Sequence, residues 1–147
     1  MDTNITKTWT IEINEDEVFA RCVNESLYQN EAGRTNVRSI QDDDREQFYV
    51  YFTSAIAALN TILARRMESP FRYGSDCKDV VFELSMHDNH DDNMLSTLIV
   101  NCYDYIVKRV LESWYHANFG SELEKLEINH CLHYRKHPVR RRVLPLP

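Results

Sequence analysis

A chain of 147 residues with 43% hydrophobic and 27% charged side chains has the makeup of one ordinary globular domain, which excludes a disordered chain. Only 3 glycines and 4 prolines leave few tight turns, which excludes a many-stranded sandwich or barrel. The net charge of −6 is unevenly spread: residues 129–147 hold five bases and no acid, and the other 128 carry 12 bases against 23 acids, or −11. An acidic body with a basic tail is a poor polyanion binder, because long-range repulsion opposes the tail's attraction.

Residues 6–13 alternate Trp9, Ile11 and Ile13 with Thr8, Thr10 and Glu12, the period-two pattern of a half-buried strand. Asn14 then caps a helix running to about Gln29, with Glu17 at the reciprocal capping-box position. Val18, Phe19, Cys22, Val23, Ser26 and Leu27 form its predicted buried face. Residues 33–41 have no period and read as a loop. Asp42-Asp43-Asp44 opens a second helix that ends near Met67. Its stripe of Phe48, Tyr51, Phe52, Ala55, Ile56, Leu59, Ile62 and Leu63 has helical spacing. Three adjacent carboxylates can hold a cation, but cap and dipole charges at a helix start account for them without one. Arg65 and Arg66 suit the negative end of the same helix.

Residues 71–77 read as a loop and 78–86 as a strand with Val80, Phe82, Leu84 and Met86 on one face. Two strands alone are unstable, so they are expected to pair with each other or with a neighbouring subunit. The acidic turn that follows offers His87, Asp88, His90, Asp91 and Asp92 as metal ligands. Its spacing matches no metal motif, and the EF-hand pattern fails for want of its glycine and closing glutamate. The preferred reading is a solvated connection whose acids cap the next helix.

That helix, about 92–116, carries two apolar stripes. Leu95, Leu98, Ile99, Cys102, Ile106, Val110 and Trp114 form the first, and Val100, Tyr103, Val107, Leu111 and Tyr115 the second. Asp104 and Lys108 are spaced for an ion pair within the helix. So wide an apolar surface implies burial between two layers. Val107, Leu111 and Tyr115 are therefore the candidate positions for docking a partner. Gly120 is placed to close this helix, and Ser121-x-x-Glu124 to open the last one as a capping box. Leu123, Leu126, Ile128, Cys131 and Leu132 are the last helix's apolar positions.

His130, Cys131, His133 and His137 offer zinc-ligating atoms, with His133 and His137 on one helix face. They lack the glutamate of an HExxH site and any CxxC partner, so a partly exposed helix face is preferred. Cys22, Cys77, Cys102 and Cys131 are not at CxxC spacing and read as free buried thiols in a reducing, intracellular setting. The opening residues lack a signal-peptide pattern, and no apolar run approaches the roughly 20 residues of a membrane span. There is no catalytic constellation, and no metal or cofactor is expected. Residues 138–147 read as an extended arm, in which Arg140, Arg141, Arg142 and Leu144 combine charge with apolar anchors for docking. The expected architecture is mainly α: a single four-helix bundle-like domain over residues 1–137, with a small two-stranded β element and an extended C-terminal arm.

The layout as a whole resembles a family of small proteins of tailed phages and prophages in Bacteroides-type bacteria. The resemblance lies in several features: the strand before Glu15-Asp16-Glu17-Val18, the acidic start at residues 42–46, the His/Asp turn, Trp114-Tyr115 closing a long helix, and the run from Tyr134 to Arg142. Such proteins are similar to head–tail connector (adaptor or completion) subunits. The resemblance implies a non-catalytic virion protein that forms a homo-oligomeric ring, contacts portal or neck and tail proteins, and is found in the host cytoplasm during assembly. It implies no membrane and no sequence-specific nucleic acid. The alternatives are a bacterial protein–protein adaptor with no phage role and a metal-binding protein.

Overall fold

The computed structural model describes residues 5–35 and 37–135. The arm, with Arg140, Arg141, Arg142 and Leu144, lies outside the described residues, as does His137. The elements are β1 (Thr6–Asn14), α1 (Glu15–Glu31), α2 (Arg45–Leu63), β2 (Arg72–Tyr73), β3 (Asp79–His87), α3 (Asn93–Tyr115) and α4 (Ser121–His133). Single 3-10 turns precede and follow α2, at Asp42–Asp44 and Ala64–Arg66. The chain is thus mainly helical, with a small antiparallel sheet.

β1 and β3 pair antiparallel in a register that sets Trp9 beside Leu84, Ile11 beside Phe82 and Ile13 beside Val80. All six side chains are buried. A slip of one residue would turn this entire set to solvent, so burial fixes the register. The expected two-stranded element has a third strand. β2 pairs with the other side of β3, giving the order β1-β3-β2. A tight connection makes this possible: Gly74 N–H donates to the Asp79 carbonyl at 2.8 Å, and Asp76 Oδ1 accepts the N–H of Lys78 at 3.0 Å. β3 therefore finds both neighbours within its own chain.

α3 is the central element and packs against α1, α2, α4 and β1. α1 runs parallel to it and is fixed at three points. The Asn14 N–H donates to the Tyr103 hydroxyl at 2.8 Å, Arg21 meets Asp104 at 2.6 Å, and the Tyr115 hydroxyl donates to the Ser26 carbonyl at 3.2 Å. On the other side, α4 runs antiparallel to α3, with Lys108 on Glu124 at 2.8 Å and Asn101 on the Cys131 sulfur at 3.7 Å. The predicted pair within α3 is thus replaced by two pairs between helices: Asp104 turns to α1 and Lys108 to α4.

The segment Asp42–Arg66 is long and apolar enough by composition to cross a membrane. Here it is a core helix whose Phe48, Phe52, Ile56, Leu59 and Leu63 are buried, with Phe48 edge-on to Phe19 of α1 at 4.9 Å.

Two helix ends differ from the sequence reading. α3 closes on His116, in the left-handed region at φ 54°, and not on Gly120. Gly120, at φ 90°, is instead the residue before α4. Ser121 is the first helical residue and forms no capping box, because its side chain is held by Glu112.

Candidate functional site

The three expected docking residues of α3 are not on the surface. Val107, Leu111 and Tyr115 are each no more than 8% exposed and belong to the single core. α1 packs beside them, and Val107 and Leu111 also line an open pocket of about 310 Å³ with Arg21, Glu25 and Phe119, while Val100 of the same stripe is 57% exposed.

The His/Asp turn is stitched to β1 through His90 and Asp92, while Asp88 and Asp92 stay exposed as expected of a solvated connection. The Trp9 indole donates to Asp92 Oδ1 at 3.0 Å, and Lys7 meets the same oxygen at 2.7 Å. Lys7 also donates to the His90 carbonyl. Asp91 Oδ1 accepts the N–H of Asn93 at 3.0 Å, a local turn, while Asp92 makes no side-chain cap. His90 is 1% exposed and sits edge-on to Trp9 with ring centroids 5.9 Å apart. Neither ring nitrogen has a partner of good hydrogen-bond geometry. Burial pushes its pKa down, the Tyr134 backbone opposes this, and Arg66, Arg135 and Lys7 add to the depression.

Among the described residues, no three His, Cys, Asp or Glu side chains come together in a metal-binding arrangement. In the acidic run before α2, Asp44 is held by Arg38 through paired contacts of 2.6 and 2.7 Å and accepts the Gln41 N–H at 2.8 Å. Asp42 and Asp43 are exposed. Three of the four cysteines are buried, and burial raises the Cys22 thiol to about 12 and pushes Cys102 and Cys131 up as well. Cys77 is exposed, contrary to the expectation of four buried thiols. His130 and His133 are exposed on α4, while Cys131 of the same turn points into the core.

The surface feature that stands out was not identified in the sequence. The end of α2, the middle of α3 and the length of α4 enclose an open groove of about 660 Å³. Arg65 and Arg66 line it from the 3-10 turn after α2, Arg109 from α3, and Lys125 from α4. Glu122 is the one acid in the lining, and Ile62, Tyr105 and Leu132 are its bulky apolar members. Arg66 donates to the carbonyl of Leu132 at 2.8 Å, satisfying an open acceptor near the end of α4. Burial and then the neighbouring Arg135 make its charge harder to hold. Among the described residues, no carboxylate forms an ion pair with any of these four cations. Beyond the groove, α4 exposes Leu123 and Leu126 at 68% and 63%.

Spacing rules did not link these cations because they come from three different helices. Arg65 and Arg66 were assigned to the negative end of α2, and nothing in the sequence pairs them with Arg109 or Lys125. In comparisons with known proteins, no protein-family model, no curated protein and no solved structure matches this chain.

Proposed function

We propose that this chain is a structural assembly subunit of the kind its layout resembles, a head–tail connector protein of tailed phages that works through surface contacts and without catalysis. The observation that carries this reading is the groove between α2, α3 and α4. Four cations gather there on an acidic chain with no carboxylate in ion-pair contact among the described residues, which favours an anionic partner. The exposed Leu123 and Leu126 add apolar surface of the kind that partners cover. The buried thiols of Cys22 and Cys102 and the buried ring of His90 are poorly placed for chemistry on a substrate, which also favours a structural role. In this reading the four helices act as a bundle-like body around α3, and the arm bearing Arg140, Arg141, Arg142 and Leu144 docks on a neighbour.

The test is to read the genes beside this chain for portal, capsid and tail proteins and, where they are found, to co-express the chain with the portal and neck proteins, purify it and measure its mass. Capture by the portal, or a ring mass on its own, supports the proposal. A chain that stays monomeric at high concentration and is not captured, with no portal, capsid or tail genes beside it, would sink it.

A further inference from the structure

We infer that the groove between α2, α3 and α4 receives the start of α2 from a second copy of this chain. The inference rests on the assembly reading above and names the contact that would build it.

Two kinds of complementarity favour that occupant. The first is charge. Asp42, Asp43 and Glu46 are all exposed at the start of α2, and among the described residues none of them forms an ion pair. They oppose Arg65, Arg109 and Lys125 in the groove. The second is apolar surface. Tyr49 and Val50 lie one turn beyond Glu46 and remain 45% and 56% exposed. Ile62 and Leu132 supply apolar lining between the cations of the groove. A helix start bearing acids and then apolar side chains therefore meets a groove bearing cations around an apolar lining. Nucleic acid phosphates would match the charges but offer nothing to Tyr49 and Val50, and they would be repelled by the −6 chain.

The two surfaces lie at opposite ends of one helical run. Asp42–Arg66 is 25 residues, about 35 Å of helix at ~1.5 Å per residue. One copy cannot fill its own groove with its own helix start. Each copy gives one surface and receives the other, which builds a ring where the rotation between copies closes, an open filament where it does not, or an antiparallel pair if two copies exchange both contacts.

The test uses two variants of the full chain, Arg65→Glu/Lys125→Glu and Asp42→Lys/Asp43→Lys, at positions whose side chains make no ion pair among the described residues. Solution mass is measured over a concentration series, with circular dichroism checking that each variant is folded. Each variant alone should self-associate roughly tenfold more weakly or worse than the parent. An equal mixture should recover association, because the reversed groove of one matches the reversed helix start of the other. If the parent assembles and the variants assemble equally well, or if the mixture recovers nothing, the groove contact is wrong while the assembly reading stands. A strictly monomeric parent that no partner captures overturns both. A short DNA duplex bound by the parent and lost in Arg65→Glu/Lys125→Glu, with unchanged mass, reassigns the groove to nucleic acid.

Discussion

Glu112 of α3 holds Ser121 of α4 with both carboxylate oxygens. Oε1 accepts the Ser121 hydroxyl at 2.6 Å, while Oε2 accepts the backbone N–H of Ser121 at 3.1 Å and of Phe119 at 2.9 Å. One side chain of one helix thus caps the first turn of the next. The open N–H groups of a helix start need an acceptor, and a carboxylate also suits the positive end of its dipole.

Replacing Glu112 with alanine should cost about 1.5–3 kcal/mol, in the range for hydrogen bonds to a charged group. Thermal or urea unfolding would measure it. Burial opposes the Glu112 charge, but the Ser121 hydroxyl, the two N–H groups and Arg109 outweigh it and lower the pKa. As pH falls, the unfolded chain therefore takes up the proton first. The contribution is full above the ordinary glutamate range and is lost as pH drops through the lowered value. An acid titration of stability should flatten in Glu112→Gln.

The side of α3 that meets α1 gives a second prediction. Leu111→Ala should destabilise the chain by about 2–5 kcal/mol, the usual cost of truncating a core leucine. Tyr115→Phe, which loses only the bond to the Ser26 carbonyl, should cost about 0.5–1.5 kcal/mol. Chemical denaturation reads both. A variant of Leu111 that unfolds like the parent but no longer self-associates would return this stripe to the surface.

His90 predicts a pH effect of its own. Its ring is surrounded by Trp9, the Tyr134 backbone and the cations Lys7, Arg66 and Arg135, and its pKa is depressed. The unfolded chain, with an ordinary histidine value near 6.5, therefore binds a proton before the folded one does. Stability from this site is full above that value and is lost as pH falls from there toward the folded pKa. Melting temperatures of the parent should drop between about pH 7 and 5, and this part of the drop should vanish in His90→Phe.

The cysteines should differ in reactivity. Cys77 is exposed, whereas Cys22, Cys102 and Cys131 are buried. Brief alkylation of the native protein followed by mass spectrometry should add one label, at Cys77. Labelling at Cys102 on the same timescale would mean that the α3–α4 interface opens.

Local pattern was enough for the elements themselves. Trp9, Ile11 and Ile13 marked β1 by alternation, Asn14 marked the start of α1, and the stripe from Phe48 to Leu63 marked α2. Contacts between elements were not legible. Arg72 and Tyr73 form β2 through the turn at Gly74, and two residues carry no period. On α1, Leu27 was placed in the core by its chemistry, yet it is exposed while Gln29 two positions on is buried. On α4, Leu123 and Leu126 were likewise assigned inward and point out. The stripe of Val107, Leu111 and Tyr115 was read as surplus because nothing local says that α1 lies along it. The groove cations were missed for the same reason.

The pairing of β1 with β3 also bears on the order in which the chain is made. β1 leaves the ribosome first, and its partner follows only after both α1 and α2. Until β3 emerges, Trp9, Ile11 and Ile13 have no strand beside them, and closing so long a loop is slow. A message truncated before Asp79 would yield a fragment with an apolar, unpaired strand at its head. The N-terminal half should therefore aggregate when expressed alone, and it should be recovered when the C-terminal half is supplied in the same cell.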